Sequence, residues 1–483
     1  MLNILVVIGT RPEAIKLSPI VLELQKHSDK IYVEICITAQ HRSLLDDVLI
    51  NFNITSDHDL DLMSDNQTLE EIKRSLGKFY SVEPVHDPFI RLHSSTLSSD
   101  ELLAFNKAFL QGNITLGSYN SEYQKLAATH FNSTHCVSSN SGSSANLLAI
   151  SALVQLGKLK SGDKVLVPAL AWSTSVFPLV QYGLVPVYID ISPVDFNLSI
   201  DELNNAVIKH SPKALLLIHT YGNPADMDKI MQICTDNHLI LVEDTCESMG
   251  ASWDGKSVGS FGIAGTFSSY YSHHICTLEG GLTITNDDEL SNTMQSIRSH
   301  GWTRGIDFDL TNVPMVDNID PTFLFLNVGY NLRLSDPQAS MGIEQIKKLS
   351  QYVAARKKAA DRFISNINNS SCLSSVITYP SVHPKASSSW FGFPILINSS
   401  ISFSLPRLRS YLAEKFIESR PFLAGNFALQ PVNKKFSHVV YNDTPVISDF
   451  HNRSFALPCH QHISNDNVDY MTTILEDYFT SHH

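Results

Sequence analysis

The sequence predicts an α/β protein built on a mostly parallel sheet, and three observations carry that prediction. Aliphatic and β-branched runs recur at Lys164–Val167, Val185–Ile189, Ala214–Ile218, Leu239–Val242 and Leu282–Thr285. Most are separated by helix-length segments, the spacing of βαβ crossovers. At 483 residues, with ordinary hydrophobic content and 17% charged residues, the chain can form two or three domains with well-formed cores.

The elements follow in order. Ile4–Ile8 is short, lacks a basic flank and runs into a Gly-Thr turn, so it reads as a first strand and not as a signal peptide. A helix over Pro12–Lys26 follows, with proline at its first position and a basic end. A strand at Tyr32–Thr38 and a second helix from about Ser43 complete a doubly wound βαβ start over residues 1–71. Two strands cannot bury a useful core alone. This segment is therefore expected to dock on the rest, pair with another chain or stay loosely ordered. Residues 72–87, with Gly77 and Pro84, read as a linker. Residues 88–350 form the expected large domain. A helix rich in Lys, Ala and Arg, at about 345–366, leads into a smaller α+β domain over 351–483.

Charge and composition exclude several classes. A net charge of −13 argues against nucleic acid or an anionic membrane surface as a partner. It leaves room for a nucleotide, which needs only a local pocket or a helix N-terminus. No apolar stretch of about 18 residues appears, so no membrane span is expected and a cytoplasmic location is the default. The seven cysteines are scattered without a CxxC pair, which fits reduced thiols and no metal site. His460 and His462 read as two exposed histidines and not as metal ligands.

Four motifs carry chemistry. Ser139-Asn140-Ser141-Gly142-Ser143-Ser144-Ala145-Asn146 precedes an apolar helix (Leu147–Leu156), and small residues opening a helix leave N–H groups free for a phosphate. An ordinary N-cap reads the same way. Trp172, after a strand, suits stacking on a flat heteroaromatic ring or packing in a core. His238–Asp244 is a buried-type strand ending in Glu243 and Asp244, and a carboxylate at that end can hold a pyridinium nitrogen or cap a helix. Thr266-Phe267-Ser268-Ser269 then precedes His273, His274 and the Gly280-Gly281 turn.

Together, in this order, these elements resemble the DegT/DnrJ/EryC1/StrS family of PLP-dependent sugar aminotransferases, over nearly all of residues 90–480. Glu243–Ala251, Gly265–His274, His300-Gly301-Trp302-Thr303-Arg304 and Trp390-Phe391-Gly392-Phe393 are most similar to its branch of GDP-4-keto-6-deoxymannose 3-dehydratases. The resemblance implies the aspartate-aminotransferase-like fold (fold type I) and pyridoxal or pyridoxamine 5'-phosphate (PLP or PMP). Gly142, Ser143 and Ser268 would bind the cofactor phosphate, Trp172 would stack on the ring, and Asp244 would contact its nitrogen with Glu247 beside it. Asn331 matches a residue that reaches the phosphate from the neighbouring subunit, which implies a homodimer with shared active sites. His273 stands where the family carries the lysine that forms the cofactor's Schiff base, so the cofactor is expected to be unattached and His273 to act as the base. Arg304, Trp390 and Arg420 are substrate-site candidates or structural residues.

The implied reaction uses L-glutamate to form PMP, removes the C3 hydroxyl of a nucleotide-linked 4-keto-6-deoxyhexose, and yields a 4-keto-3,6-dideoxy sugar for O-antigen or lipopolysaccharide synthesis. A related branch acting on CDP-sugars uses an iron–sulfur cluster; its cysteines are missing here between His300 and Asn331. An aminotransferase with non-covalent PLP and an inactive fusion remnant remain as alternatives. At the other end, Gly9–Lys16 and Thr38-Ala39-Gln40-His41-Arg42 resemble the opening of bacterial UDP-N-acetylglucosamine 2-epimerases. Arg11 and Lys16 match positions that serve that family's active site. The rest of that enzyme does not follow, so the segment reads as a truncated fusion remnant without activity.

Overall fold

The structure is a computed structural model and describes residues 2–38, 42–60, 88–308 and 319–481. The chain divides into two compact units between Asp87 and Pro88. The expected linker, and Ala39, Gln40 and His41 of the second epimerase-like motif, lie outside the described residues.

In the first unit, strand Leu2–Ile8 pairs in parallel with Ile31–Ile37, and a third short strand, His58–Asp59, pairs in parallel with the second. Helix Arg11–Gln25 connects the first two. The Glu13 carboxylate accepts the Gly9 and Thr10 N–H groups at 2.8 and 2.9 Å, which settles the helix start. Ile8, Ala14, Val21, Ile35, Ile37, Leu45, Val48, Leu49 and Ile54 pack into one cluster. The expectation of two strands without a core of their own is therefore corrected. The short third strand and the Arg42–Asn51 helix give this unit its own buried cluster. Arg11 and Lys16 are both exposed on it.

The second unit is organised by an eight-stranded sheet. Its order is Val439–Val440, Val185–Ile189, Lys164–Pro168, Ala214–Ile218, Ile240–Asp244, Ala264–Ser268, Gly281–Thr285, His135–Ser139. Every pairing is parallel except the two made by Gly281–Thr285. The central strands read as unbroken apolar runs because helices cover both faces, as in Ala214–Ile218, where all five residues are buried.

Helix Asp336–Asn369 has 34 residues and is roughly 50 Å long at the usual rise. Its first half packs with Phe131, Phe267 and Leu282, and its second half with Phe393, Phe455 and Met471. The boundary expected at 350/351 thus falls inside one continuous helix that joins two cores. Beyond it, Ile377–Thr378, Phe393–Ile397, Ser454–Leu457 and Arg420–Pro421 form a four-stranded antiparallel sheet. The tail also returns to the large sheet, supplying its edge strand Val439–Val440. His460 is buried, its Nε2 3.1 Å from the Arg91 carbonyl, and only His462 is exposed, which corrects the reading of both as surface residues.

Candidate active site

A cavity of about 340 Å³ opens at the carboxyl ends of the parallel strands. Parallel sheets collect their loops and helix N-termini at that edge. Eight of the eleven expected residues line it: Gly142, Ser143, Trp172, Asp244, Glu247, Ser268, His273 and Arg420.

One wall is the start of helix Gly142–Gln155, where Ser141 caps the helix by accepting the Ser144 N–H at 3.1 Å. A Cβ on Gly142 would lie 2.6 Å from the Ser268 Cβ and 3.0 Å from the Cys246 Sγ, so only glycine lets these two turns meet. Ser143 donates to Thr174 at 3.0 Å and the Tyr270 N–H donates to Ser268 at 3.2 Å. Hydroxyls and free helix N–H groups thus converge on one corner, the arrangement that binds a phosphate. Trp172 is 52% exposed at the cavity wall, a flat face with little packed on it.

The three acids of Glu243-Asp244-Thr245-Cys246-Glu247 have different surroundings. Glu243 points away from the cavity and accepts N–H groups of Gly259, Phe261 and Gly262 at 2.7–2.8 Å, with His219 Nε2 at 3.2 Å. His219 Nδ1 already accepts the Ala225 N–H, so Nε2 is the donor to Glu243. Asp244 accepts Asn146 Nδ2 at 2.8 Å, the Ser175 hydroxyl at 2.7 Å and the Cys246 N–H at 3.1 Å. Thr266 donates to Asn146 Oδ1 at 2.6 Å and fixes which end of that amide faces Asp244. Among the described residues, Glu247 accepts only the long Tyr221 N–H, at 3.4 Å. Burial pushes its carboxyl up to about 7, with Asp244 acting in the same direction and Arg420 against it.

His273 and His274 part company. His273 lines the cavity, its ring 5.0 Å from Phe391 and 6.1 Å from Tyr270. Its Nδ1 is enclosed without a partner, which leaves Nε2 open to the cavity. Burial depresses its pKa to about 3, helped by the positive charge of Arg356 and Arg420 and by His93. His274 is buried outside the cavity, with Nε2 3.1 Å from the Ser389 carbonyl. No lysine is among the described residues lining the cavity.

Three expected residues lie elsewhere. Trp390 is buried in the smaller core against Phe393, and its carbonyl accepts Arg356 Nη1 at 3.1 Å, the position of a structural residue. Its neighbour Phe391 takes the cavity position, because the left-handed turn at Trp390 (φ 48°) redirects the chain. Arg304 is exposed with its guanidinium over Trp302. Asn331 is exposed and accepts Arg333 Nε at 2.9 Å. Neither lines the cavity of its own chain. Asn146, Thr174, Ser175, Tyr270, Glu279 and Phe391 are cavity residues that sequence reasoning did not single out. Asn146, Tyr270 and Phe391 sit inside the quoted motifs, while Thr174, Ser175 and Glu279 only lie next to them in the chain. Among the described residues no group of three or more His, Cys, Asp or Glu side chains is placed to hold a metal.

Residues 95–476 match the DegT/DnrJ/EryC1/StrS aminotransferase family. A GDP-4-keto-6-deoxy-D-mannose 3-dehydratase of Escherichia coli O55:H7 is 37% identical over 391 residues, covering 80% of this chain and 99% of the relative. One from Yersinia pseudotuberculosis is 40% identical over 341 residues, covering 70% and 85%. A crystal structure of a GDP-4-keto-6-deoxymannose-3-dehydratase with a trapped PLP–glutamate geminal diamine superposes with a TM-score of 0.75 at 36% identity, covering 80% of this chain and 99% of that one.

Proposed function

The chain belongs to the DegT/DnrJ/EryC1/StrS aminotransferase family, and from that premise we propose that it is a PLP/PMP-dependent 3-dehydratase of a nucleotide-linked 4-keto-6-deoxyhexose, GDP-4-keto-6-deoxy-D-mannose being the first substrate to test. The observation that carries the reading is the cavity's histidine. A transaminase of this fold holds its cofactor through a lysine. The family resemblance puts His273 in that place, and no lysine is among the described residues lining the cavity.

The residues present fit the cofactor. The Gly142 cradle, which a Cβ would fill, suits the phosphate, together with Ser143 and Ser268. Trp172 would cover the ring. Asp244, held by Asn146 and Ser175, would face the ring nitrogen. When bound, the cofactor supplies an electron-accepting ring that makes an adjacent C–H bond acidic. His273 would take that proton at Nε2. A ring kept unprotonated by burial is in the correct form to accept it, and Phe391 keeps water from one face. Arg420 would meet the negatively charged or hydroxylated part of the substrate.

The reading includes L-glutamate as amino donor, a cytoplasmic location and a homodimer in which Asn331 of the partner subunit completes the phosphate site. The exposure of Asn331 and its absence from its own cavity support that last part. So does the composition of the neighbouring surface, where Phe323, Phe325 and Val328 are exposed. Among the described residues no helix is long and apolar enough to cross a membrane.

The test is a mass-spectrometric endpoint assay with GDP-4-keto-6-deoxy-D-mannose, PLP and L-glutamate, run beside His273→Lys. A 3-deoxy keto sugar with ammonia, lost in the variant, is the expected result. An amino sugar from the native protein would overturn it in favour of transamination.

A further inference from the structure

Loss of a C3 hydroxyl needs two proton transfers. A base removes a proton from carbon, and an acid must protonate the departing oxygen, because hydroxide is a poor leaving group. His273 answers the first need. The second can be met by another group lining the same cavity.

Asp244 and Glu247 are three residues apart and line one cavity, yet they are unequally supplied with donors. Asp244 receives three hydrogen bonds of 2.7–3.1 Å, all suited to a carboxylate. Glu247 receives one, at 3.4 Å, and lines the cavity together with Arg420, Phe391 and His273. A carboxyl enclosed with so few donors is stabilised as the acid and free to donate. Resting on the dehydratase reading, we infer that Glu247 is the general acid of the site, protonating the departing C3 oxygen while His273 accepts the proton from carbon. The C–H bond opens to His273 Nε2, the C3–O bond breaks with its electron pair on oxygen, and the Glu247 proton joins that oxygen to leave as water. Proton return from the imidazolium to the carboxylate, directly or through solvent, restores the pair.

The charged surroundings favour this division. Glu247 faces Asp244, Cys246, Arg420 and the Tyr221 N–H, and burial moves its carboxyl to about 7. His273 faces Arg356 of the long helix, Arg420, His93 and His274, and moves to about 3. With ordinary values near 6.5 and 4.3, a neutral histidine and a protonated glutamate coexist in under ~1% of molecules at any pH. The site reverses that order, so the working pair predominates between the two values. Activity therefore falls as pH rises through about 7, where Glu247 loses its proton.

The experiment uses full-length protein loaded with PLP and L-glutamate, native and Glu247→Gln, with two substrates. One is the 4-keto-6-deoxy sugar nucleotide, and the other is its 3-deoxy-3-fluoro analogue, whose fluoride leaves without an acid. Glu247→Gln is expected to dehydrate at least about 100-fold more slowly. It should release fluoride within several-fold of native, and its alkaline limb should vanish. Infrared titration of the cofactor-free protein should find a buried carboxylic acid ionising near 7 in native protein only. Fluoride release falling in step with dehydration, or no such carboxyl, would overturn the assignment while leaving the dehydratase intact. A native protein that eliminates neither water nor fluoride would overturn both. Glu247→Asp, which keeps an acid, should recover part of the dehydration and controls for misfolding.

Discussion

Gly142 illustrates how closely single residues fix this site. Its Cα lies where any side chain would strike the Ser268 Cβ, and Ser268 ends the strand that leads to His273. Gly142→Ala must push apart the helix start and that strand end. Overpacking of this kind costs about 1–3 kcal/mol. Because the displaced groups form the proposed phosphate corner, most of the cost should appear in cofactor affinity, a loss of about ten- to a hundredfold. Titration of PLP absorbance would measure it, and unchanged affinity would remove Gly142 from the cradle. The two histidines give a contrasting lesson. They are neighbours in the chain, but one ring is open to the cavity and the other sits in the core against the Ser389 carbonyl. Nothing in a His-His pair says which ring faces the solvent side. The resemblance favoured His273, and the geometry gives the physical difference between the two. Trp390 is buried while its neighbour Phe391 lines the cavity, and the left-handed turn at this non-glycine residue leaves no mark in the sequence.

At the scale of elements, strands with continuous aliphatic runs were legible. Val185–Ile189 and Ala214–Ile218 have the bounds expected from sequence. His135–Ser139 and Ala264–Ser268 were not read as strands, since His-Cys-Val-Ser-Ser and Ala-Gly-Thr-Phe-Ser are short and rich in small or polar residues. Both lie in the sheet next to the antiparallel Gly281–Thr285, and there small residues allow close backbone approach: a Cβ on Gly281 would lie 2.1 Å from the Ser141 carbonyl oxygen. The long helix was expected to be shorter, and its unread ends serve different cores. One of its buried residues reaches the site indirectly. Arg356 Nη1 donates to the carbonyls of Trp390, Phe391 and Cys459 at 3.1–3.2 Å, holding the strand start that carries Phe391 over His273. Arg356→Leu would leave those buried carbonyls without a donor, a cost of about 3 kcal/mol or more. It should also let the His273 pKa climb back toward its ordinary value, because the guanidinium is one of the forces holding it down. Urea unfolding and histidine NMR titration read the two effects. Arg356→Lys should retain part of both, since an ammonium keeps the charge but not the fork of donors.

The whole molecule poses the question of what its first 87 residues contribute. That unit has its own parallel sheet and buried cluster, and the family match begins only at residue 95. The segment following Asp87 is a different matter. The Ile90 N–H donates to the Phe416 carbonyl at 2.8 Å, and the Glu418 N–H returns to the Ile90 carbonyl at 3.1 Å. Arg91 pairs with Glu418, whose carboxylate also accepts the Leu92 N–H at 2.9 Å. The Ser94 carbonyl accepts Gln461, and the Thr96 carbonyl accepts both Gln345 and Tyr352. His93 meanwhile packs edge-on against Tyr271, two residues before the proposed base. This strap belongs to the catalytic unit and braces the wall beside His273. Two truncations separate the contributions. Removing residues 1–87 should leave dehydration and the melting temperature of the remaining chain unchanged, as expected of a fusion remnant. Removing residues 1–97 should lower the melting temperature by several degrees and abolish turnover, because at least five buried or half-buried polar groups lose their partners and the Tyr271 face opens. Loss of activity on removing residues 1–87 alone would mean that the first unit acts on the second, and the remnant reading would have to be abandoned.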